Sequence, residues 1–269
     1  MRSAKKSWGS SLPHLPASSQ SLARGPLLRG EELGHPSLLH SFHGRDAYVP
    51  TPHPGSCHNT SMALFDGGHS EYTSGKLDLE DLIGDPIEQL RGWLQDVTKA
   101  GITEPSAMTL ATATPDGRPS ARVVLLRGLD SGLVFYTNYA SRKGAELAEN
   151  DRAAICFWWG ALERQVRIEG VVTRVTSEES DQYFASRPHD SQAASAASPQ
   201  SQIIPDREGL EAEMQALTEQ DTIERPENWG GFRLTPDYFE FWQGRKARLH
   251  DRFAYVKQGE AWNIHRLAP

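Results

Sequence analysis

The sequence predicts an α+β chain that is mainly β, with about eight strands and several helices inserted between them. Three observations predict it. Short runs of β-branched, aromatic and aliphatic residues recur between turn residues from Ala107 to the C-terminus. These runs do not alternate regularly with helical patterns, which argues against a doubly wound parallel sheet. No GxGxxG or Walker sequence is present, and no internal repeat.

The elements follow in order. Asp85 fits an N-cap and Pro86 the first helical position. Ile87, Leu90, Trp93, Leu94 and Val97 then recur at helical spacing, giving one buried face, and Gly101 ends the helix. Ala107–Thr114 reads as a strand, with Pro115, Asp116 and Gly117 as its turn. Ser120–Arg127 returns, and Gly132–Asn138 is a third strand. Ser141–Glu149 is a short helix. Ala153–Trp159 and Arg164–Val175 pair through Gly160. Glu178–Ser186 is helical with Ser177 as its cap, residues 188–205 are loop with a short helix, and Asp206–Gln220 is a second long helix. Gly230–Leu234, Tyr238–Trp242, Arg248–Val256 and Ala261–His265 complete the sheet.

Composition divides the chain. Residues 1–61 are rich in Ser, Pro, Gly and His and show no sustained period, so they are expected to be a disordered or dispensable extension, with the working domain at 62–269. A transit peptide is a second reading, since the first thirty residues hold Arg, Lys and Ser but no acid. A metal-binding histidine tract is disfavoured by irregular spacing. Residues 1–61 carry six Lys+Arg against three Asp+Glu, which leaves the remainder at −10 of the total −7. An acidic body argues against nucleic-acid binding. Cys57 and Cys156 allow neither a disulfide framework nor a zinc site, and Cys156 reads as a buried small hydrophobe. No run reaches the length of a membrane span. A soluble protein of a reducing compartment, most simply the cytoplasm, is expected.

Three segments carry chemistry. Glu240–Arg252, EFWQGRKARLHDR, packs Arg245, Arg248, Arg252, Lys246, His250 and Trp242 into thirteen residues. If extended, Arg248, His250 and Arg252 share one face, and an anionic ligand would offset their repulsion. A surface strand of solvated charges is the bland alternative. FYTNYASRKGAEL ends a strand and opens a helix, with Ser141 as its cap and Arg142 and Lys143 in the first turn. Cations there oppose the helix dipole, whereas the free N–H groups favour an anion, so a phosphate would satisfy both. Arg122 offers a third cation. In YFASRPHDSQ, Tyr183, Arg187 and Ser191 recur every four residues, although Pro188 argues that the helix bends or stops there. Their groups suit a second phosphomonoester, with a capped helix end as the default reading.

EFWQG, RLHDR and the final RLAP, together with RVVLLR, FYTN, SRKG and LERQVRIEG, resemble segments of the pyridoxine (pyridoxamine) 5′-phosphate oxidase family from about Tyr72 to Pro269. The resemblance implies a homodimeric FMN-binding split β-barrel with peripheral helices, in which two subunits build each site. It implies FMN contacts at Arg122, Val123, Val124, Leu125, Leu126, Arg127, Tyr136, Thr137, Ser141, Arg142, Lys143, Gln165, Gln200, Ser201, Trp242 and Arg252. It implies substrate contacts at Tyr72, Arg127, Tyr183, Arg187, Ser191, Arg248, Leu249 and His250, with Arg248 and His250 over the reacting carbon. The implied reaction is oxidation of pyridoxamine or pyridoxine 5′-phosphate by O2 to pyridoxal 5′-phosphate and H2O2, in vitamin B6 metabolism, with no metal. The chain departs from the family pattern at Arg127, where Lys is usual, at HSEY before the body, and in the alanine-rich stretch 191–202. Alternatives are a phenazine-pathway flavin oxidase of the same fold, a non-catalytic FMN or pyridoxal phosphate carrier, and a phosphate-binding regulator without flavin.

Overall fold

The computed structural model describes residues 71–269, so the predicted extension, Met62 and His69 lie outside the described residues. Helix α1 (Pro86–Lys99) starts as expected, with the Asp85 carboxylate accepting from Ile87 N at 2.9 Å. Leu90, Trp93 and Val97 are buried on one face, and Trp93 meets Phe241 edge-on at 5.1 Å. That contact seats α1 on the sheet.

The strands are β1 (Ala107–Ala113), β2 (Pro119–Leu125), β3 (Gly128–Leu129), β4 (Leu133–Asn138), β5 (Arg152–Trp159), β6 (Arg164–Arg174), β7 (Trp229–Gln243), β8 (Asp251–Gln258) and β9 (Ala261–Arg266). They form one sheet in the order β2-β1-β5-β6-β7-β4-β3, with β8 on β7 and β9 on β8. Every pairing is antiparallel. Helices α2 (Arg142–Glu149), α3 (Ser177–Ala185), α4 (His189–Ala197) and α5 (Glu208–Thr218) are inserted between strands.

Strand β7 corrects the sequence reading, which divided it at Thr235–Asp237. It is one strand of 15 residues. On one edge, β4 pairs as far as Leu234 and β8 starts at Tyr238. Pro236 falls in the gap between them, where no neighbour on that edge needs its missing N–H. On the other edge, the register with β6 shifts between Glu169 and Gly170, where Asp237 is the extra residue of a bulge in β7. A Cβ on Gly170 would overlap the Thr235 carbonyl oxygen, so the bulge requires glycine.

Other boundaries also move. Strand β8 starts at Asp251, and Lys246–Arg248 is a 3-10 turn with Ala247 at φ 54° and Arg248 at φ 61°. Two left-handed residues break any strand, so Arg248, His250 and Arg252 do not share one strand face. Thr176, not Ser177, caps α3, in a capping box with Glu179. The short helix expected within residues 188–205 is α4. Cys156 is free and half-buried rather than fully buried, and burial pushes its thiol up.

The main core lies between α1 and the sheet. A smaller cluster of Phe184, Ala193, Ile223 and Trp229 packs the inserted helices against the start of β7. Among the described residues, no helix is long and apolar enough to cross a membrane. No group of three or more His, Cys, Asp or Glu side chains converges there as a metal site would need.

Candidate active site

The first basic cluster is built by β2, β4 and α2. Arg122 Nη1 donates to Leu110 O at 3.2 Å and to Thr112 Oγ1 at 2.6 Å. Its Nη2 donates to Ser120 Oγ and to Glu146 Oε2, the latter at 3.1 Å. Glu146 also accepts from Thr112 Oγ1 at 2.5 Å, Ser120 Oγ at 2.6 Å and Arg142 Nε at 2.9 Å. Burial would push its carboxyl up, but the bonds from Ser120, Thr112, Arg142 and Arg122 more than reverse that and hold it at about 2. Glu146, one turn into α2, already offsets Arg122 and Arg142.

Lys143 is the buried cation of this cluster. Its Nζ donates to Gln200 Oε1 at 2.8 Å, Thr137 Oγ1 at 3.1 Å and Ser141 Oγ at 3.3 Å. Burial and the charge of Arg122 lower it to about 8. Ser141 caps α2 as expected, accepting from Gly144 N at 3.4 Å and donating to Asn138 O at 2.6 Å.

The second cluster straddles the break between α3 and α4, where Pro188 is the N-cap of α4. Tyr183, Arg187 and Ser191 are thus brought together across a bend rather than along one helix. Tyr183 stacks on Tyr136 at 3.8 Å, and the Arg187 guanidinium lies 4.9 Å over the Trp229 ring. Arg187 Nη1 donates to Ser195 Oγ at 2.7 Å. Burial lowers the Arg187 pKa, and the Arg127 charge lowers it further.

Both clusters line one cavity of about 860 Å³. Its walls carry Arg122, Arg127, Lys143 and Arg187 and no carboxylate. Val123, Val124, Leu125, Tyr136, Thr137, Tyr183, Ser191 and Gln200 line it as well. Some predicted residues do not. Leu126, just past the end of β2, is buried in the main core instead. Ser141 is fully buried, Arg142 and Ser201 are exposed, and none of the three lines the cavity. Sequence reasoning missed Glu146, Ser195 and Trp229. Glu146 left a local signal as an acid at i+4 from Arg142, and Ser195 as a hydroxyl at i+4 from Ser191.

The C-terminal residues form a second group. Trp242 meets Tyr72 at 5.7 Å and His250 at 4.6 Å, and Tyr72 meets His250 at 5.6 Å. His250 Nδ1 accepts from Arg245 N at 3.1 Å. That bond assigns the neutral tautomer with its proton on Nε2. Burial lowers the imidazole pKa, and the Arg248 and Arg252 charges add to the effect. Arg252 Nε donates to the buried Glu240 at 2.9 Å, and its Nη1 donates to Ala268 O at 2.8 Å. RLAP therefore anchors Arg252. Gln165 faces Trp242 across the β6–β7 ladder. Leu249 is 67% exposed and lines a separate cavity of about 580 Å³ with Tyr72, Lys76, Arg245 and Lys246. None of these residues lines the larger cavity. The fold thus presents two partial sites.

Residues 94–221 match the family described as pyridoxamine 5′-phosphate oxidase, and residues 229–269 match the pyridoxine 5′-phosphate oxidase C-terminal dimerisation region. A pyridoxine/pyridoxamine 5′-phosphate oxidase of Rubrobacter xylanophilus is 51% identical over 207 residues, covering 76% of this chain and 95% of the relative. The chain belongs to this oxidase family. A member from Gloeothece citriformis is 54% identical over 189 residues, covering 68% of this chain and 88% of its own. The crystal structure of PhzG from Burkholderia lata, in complex with tetrahydrophenazine-1-carboxylic acid, superposes with a TM-score of 0.69 at 36% identity. It covers 72% of this chain and all of its own. A pyridoxamine 5′-phosphate oxidase-related, FMN-binding protein of Nostoc punctiforme superposes at 0.58 with 18% identity, over 70% of this chain and 100% of its own, and shares the fold. The fold is the split barrel of this family, and the protein is an oxidoreductase. Its C-terminal strands lie in the family's dimerisation region, and the protein is a homodimer.

Proposed function

We propose that the protein oxidises pyridoxamine 5′-phosphate and pyridoxine 5′-phosphate with O2 to pyridoxal 5′-phosphate, releasing H2O2. The observation that carries this reading is the single cavity with two phosphate-competent donor sets and no carboxylate. The cofactor is FMN, and the residues present fit it. Arg122 and Lys143 bring positive charge to its phosphate end, Gln200 brings an amide NH2, and the β2 aliphatic residues offer an apolar wall. Bound FMN supplies the two-electron acceptor that O2 reoxidises.

The second set, Tyr183, Arg187, Ser191 and Arg127, suits the substrate phosphate. Four side chains of this kind offer more donors than the two oxygens of a carboxylate would use, which favours a phosphate ester over a phenazine-type acid. Trp242, Arg248, His250 and Arg252 complete the site across the dimer. Neutral His250, with its proton on Nε2, donates a hydrogen bond to the substrate ring and orients it. Arg248 holds the substrate over the cofactor. Its left-handed backbone is the kind of strain that functional positions retain. Ser201, beside Gln200 in the cofactor set, has φ 73°. Residues 1–61 are dispensable for this activity.

The test uses the full chain and a protein beginning at Met62, both loaded with FMN. Anaerobic pyridoxamine 5′-phosphate should bleach the flavin, and air should restore it with one aldehyde and one H2O2 per turnover. Bound flavin that no B6 phosphate bleaches, but that a dihydrophenazine carboxylate does, would move the protein to the second reading. Loss of activity in the shorter protein alone would show that residues 1–61 are needed.

A further inference from the structure

Ser195 lies on α4 four residues after Ser191, so the two hydroxyls share a helix face. Both line the cavity. Ser195 Oγ accepts from Arg187 Nη1, which leaves its own proton to be placed. Elsewhere in this chain, helix hydroxyls give that proton to the carbonyl one turn back: Thr98 to Leu94, Ser180 to Thr176 and Thr218 to Met214. Ser195 makes no such bond among the described residues. Its proton faces a cavity with four cations and no carboxylate to accept it.

We infer that Ser195 is a further ligand of the second anion site and the positioning residue of Arg187, a deepening that rests on the function proposed above. One hydroxyl performs both tasks. Its lone pair holds Arg187 Nη1, and its hydrogen is donated to a phosphate oxygen. The guanidinium is then fixed on two sides, by Ser195 at its edge and by the Trp229 ring at its face. A fixed fork loses less rotamer freedom when the ligand binds. The ligand class is a phosphomonoester, whose oxygens accept from Arg187, Ser191 and Ser195 together.

Ser195→Ala in the FMN-loaded dimer tests this. Alanine favours the helix, so the fold should survive. The KM for pyridoxamine 5′-phosphate should rise at least about tenfold, the scale of one hydrogen bond to a charged group, with kcat changed by less than about twofold. Affinity for pyridoxal, which has no phosphate, and affinity for FMN should not move. An unchanged KM, or an equal loss for pyridoxal, would overturn the inference. Inorganic phosphate, titrated calorimetrically into FMN-loaded protein, supplies a readout that needs no turnover. Phosphate should bind the wild type at least about tenfold more tightly than the variant, and equal affinities would also overturn the inference. A wild type that binds phosphate in this way yet oxidises no B6 phosphate would defeat the proposed function and leave Ser195 as an anion ligand.

Discussion

Glu146→Gln should destabilise the protein by about 2 kcal/mol at pH 7. The carboxylate is buried, with its side chain 5% exposed, and it accepts from four side chains. Glutamine has one acceptor oxygen. Its better orientation keeps that oxygen toward Thr112, Ser120 and Arg122 and turns its NH2 against Arg142 Nε. The Arg142 pair is then lost, but Arg142 is 56% exposed and the pair is worth about 0.5 kcal/mol. The larger loss is the charge facing Arg122, whose side chain is 19% exposed. Replacing that ion-paired bond by one from the guanidinium to a neutral amide oxygen costs about 1–2 kcal/mol. The effect has a pH signature. Glu146 is held at about 2, below its ordinary value of 4.5, so its contribution is present above 4.5 and is lost as pH falls toward 2. Urea unfolding of wild type and variant at one fixed protomer concentration, at pH 7, 5 and 3, reads both quantities. The difference should be equal at pH 7 and 5 and less than half as large at pH 3. A difference below about 0.5 kcal/mol at pH 7, or one that does not change with pH, would refute the argument.

Lys143, held near 8, is neutral in the apoprotein above that pH. FMN affinity should therefore fall above pH 8, by up to about tenfold per pH unit, and Lys143→Met should flatten the dependence. A flat wild-type profile in a flavin fluorescence titration would remove Lys143 from the phosphate site. Arg248→Ala should retain the flavin spectrum while turnover drops on the order of 10²-fold; unchanged turnover would take Arg248 out of the chemistry. Gly144→Ala places a Cβ against the Tyr139 carbonyl group and should cost about 2 kcal/mol or more. A thermal midpoint equal to the wild type's would show that the α2 entry relaxes.

Local signals were legible wherever a few neighbouring residues decide the outcome. The Asp85–Pro86 start, the α1 stripe, the Ser141 cap and the break at Pro188 each depend on one turn of chain. The same is true of the basic segments themselves, which the sequence located and the resemblance linked to one family. Contacts between distant segments were not legible. Pro236 reads as a strand break until the register leaves a gap on the edge of β7 beside it. Leu126 reads as one residue of a cofactor segment until the sheet buries it. The RLHDR residues read as a strand face until two left-handed residues turn the chain before β8. Glu146 reads as an ordinary helix acid until Arg122 reaches it across the fold, and Ser195 as an ordinary helix hydroxyl until the Pro188 bend brings Arg187 to it. Sequence by itself determined most of the helices and strands and the residues able to bind an anion. Tertiary structure alone decided which of them meet, because register and helix docking set which faces converge, and neither is encoded within a single turn of chain.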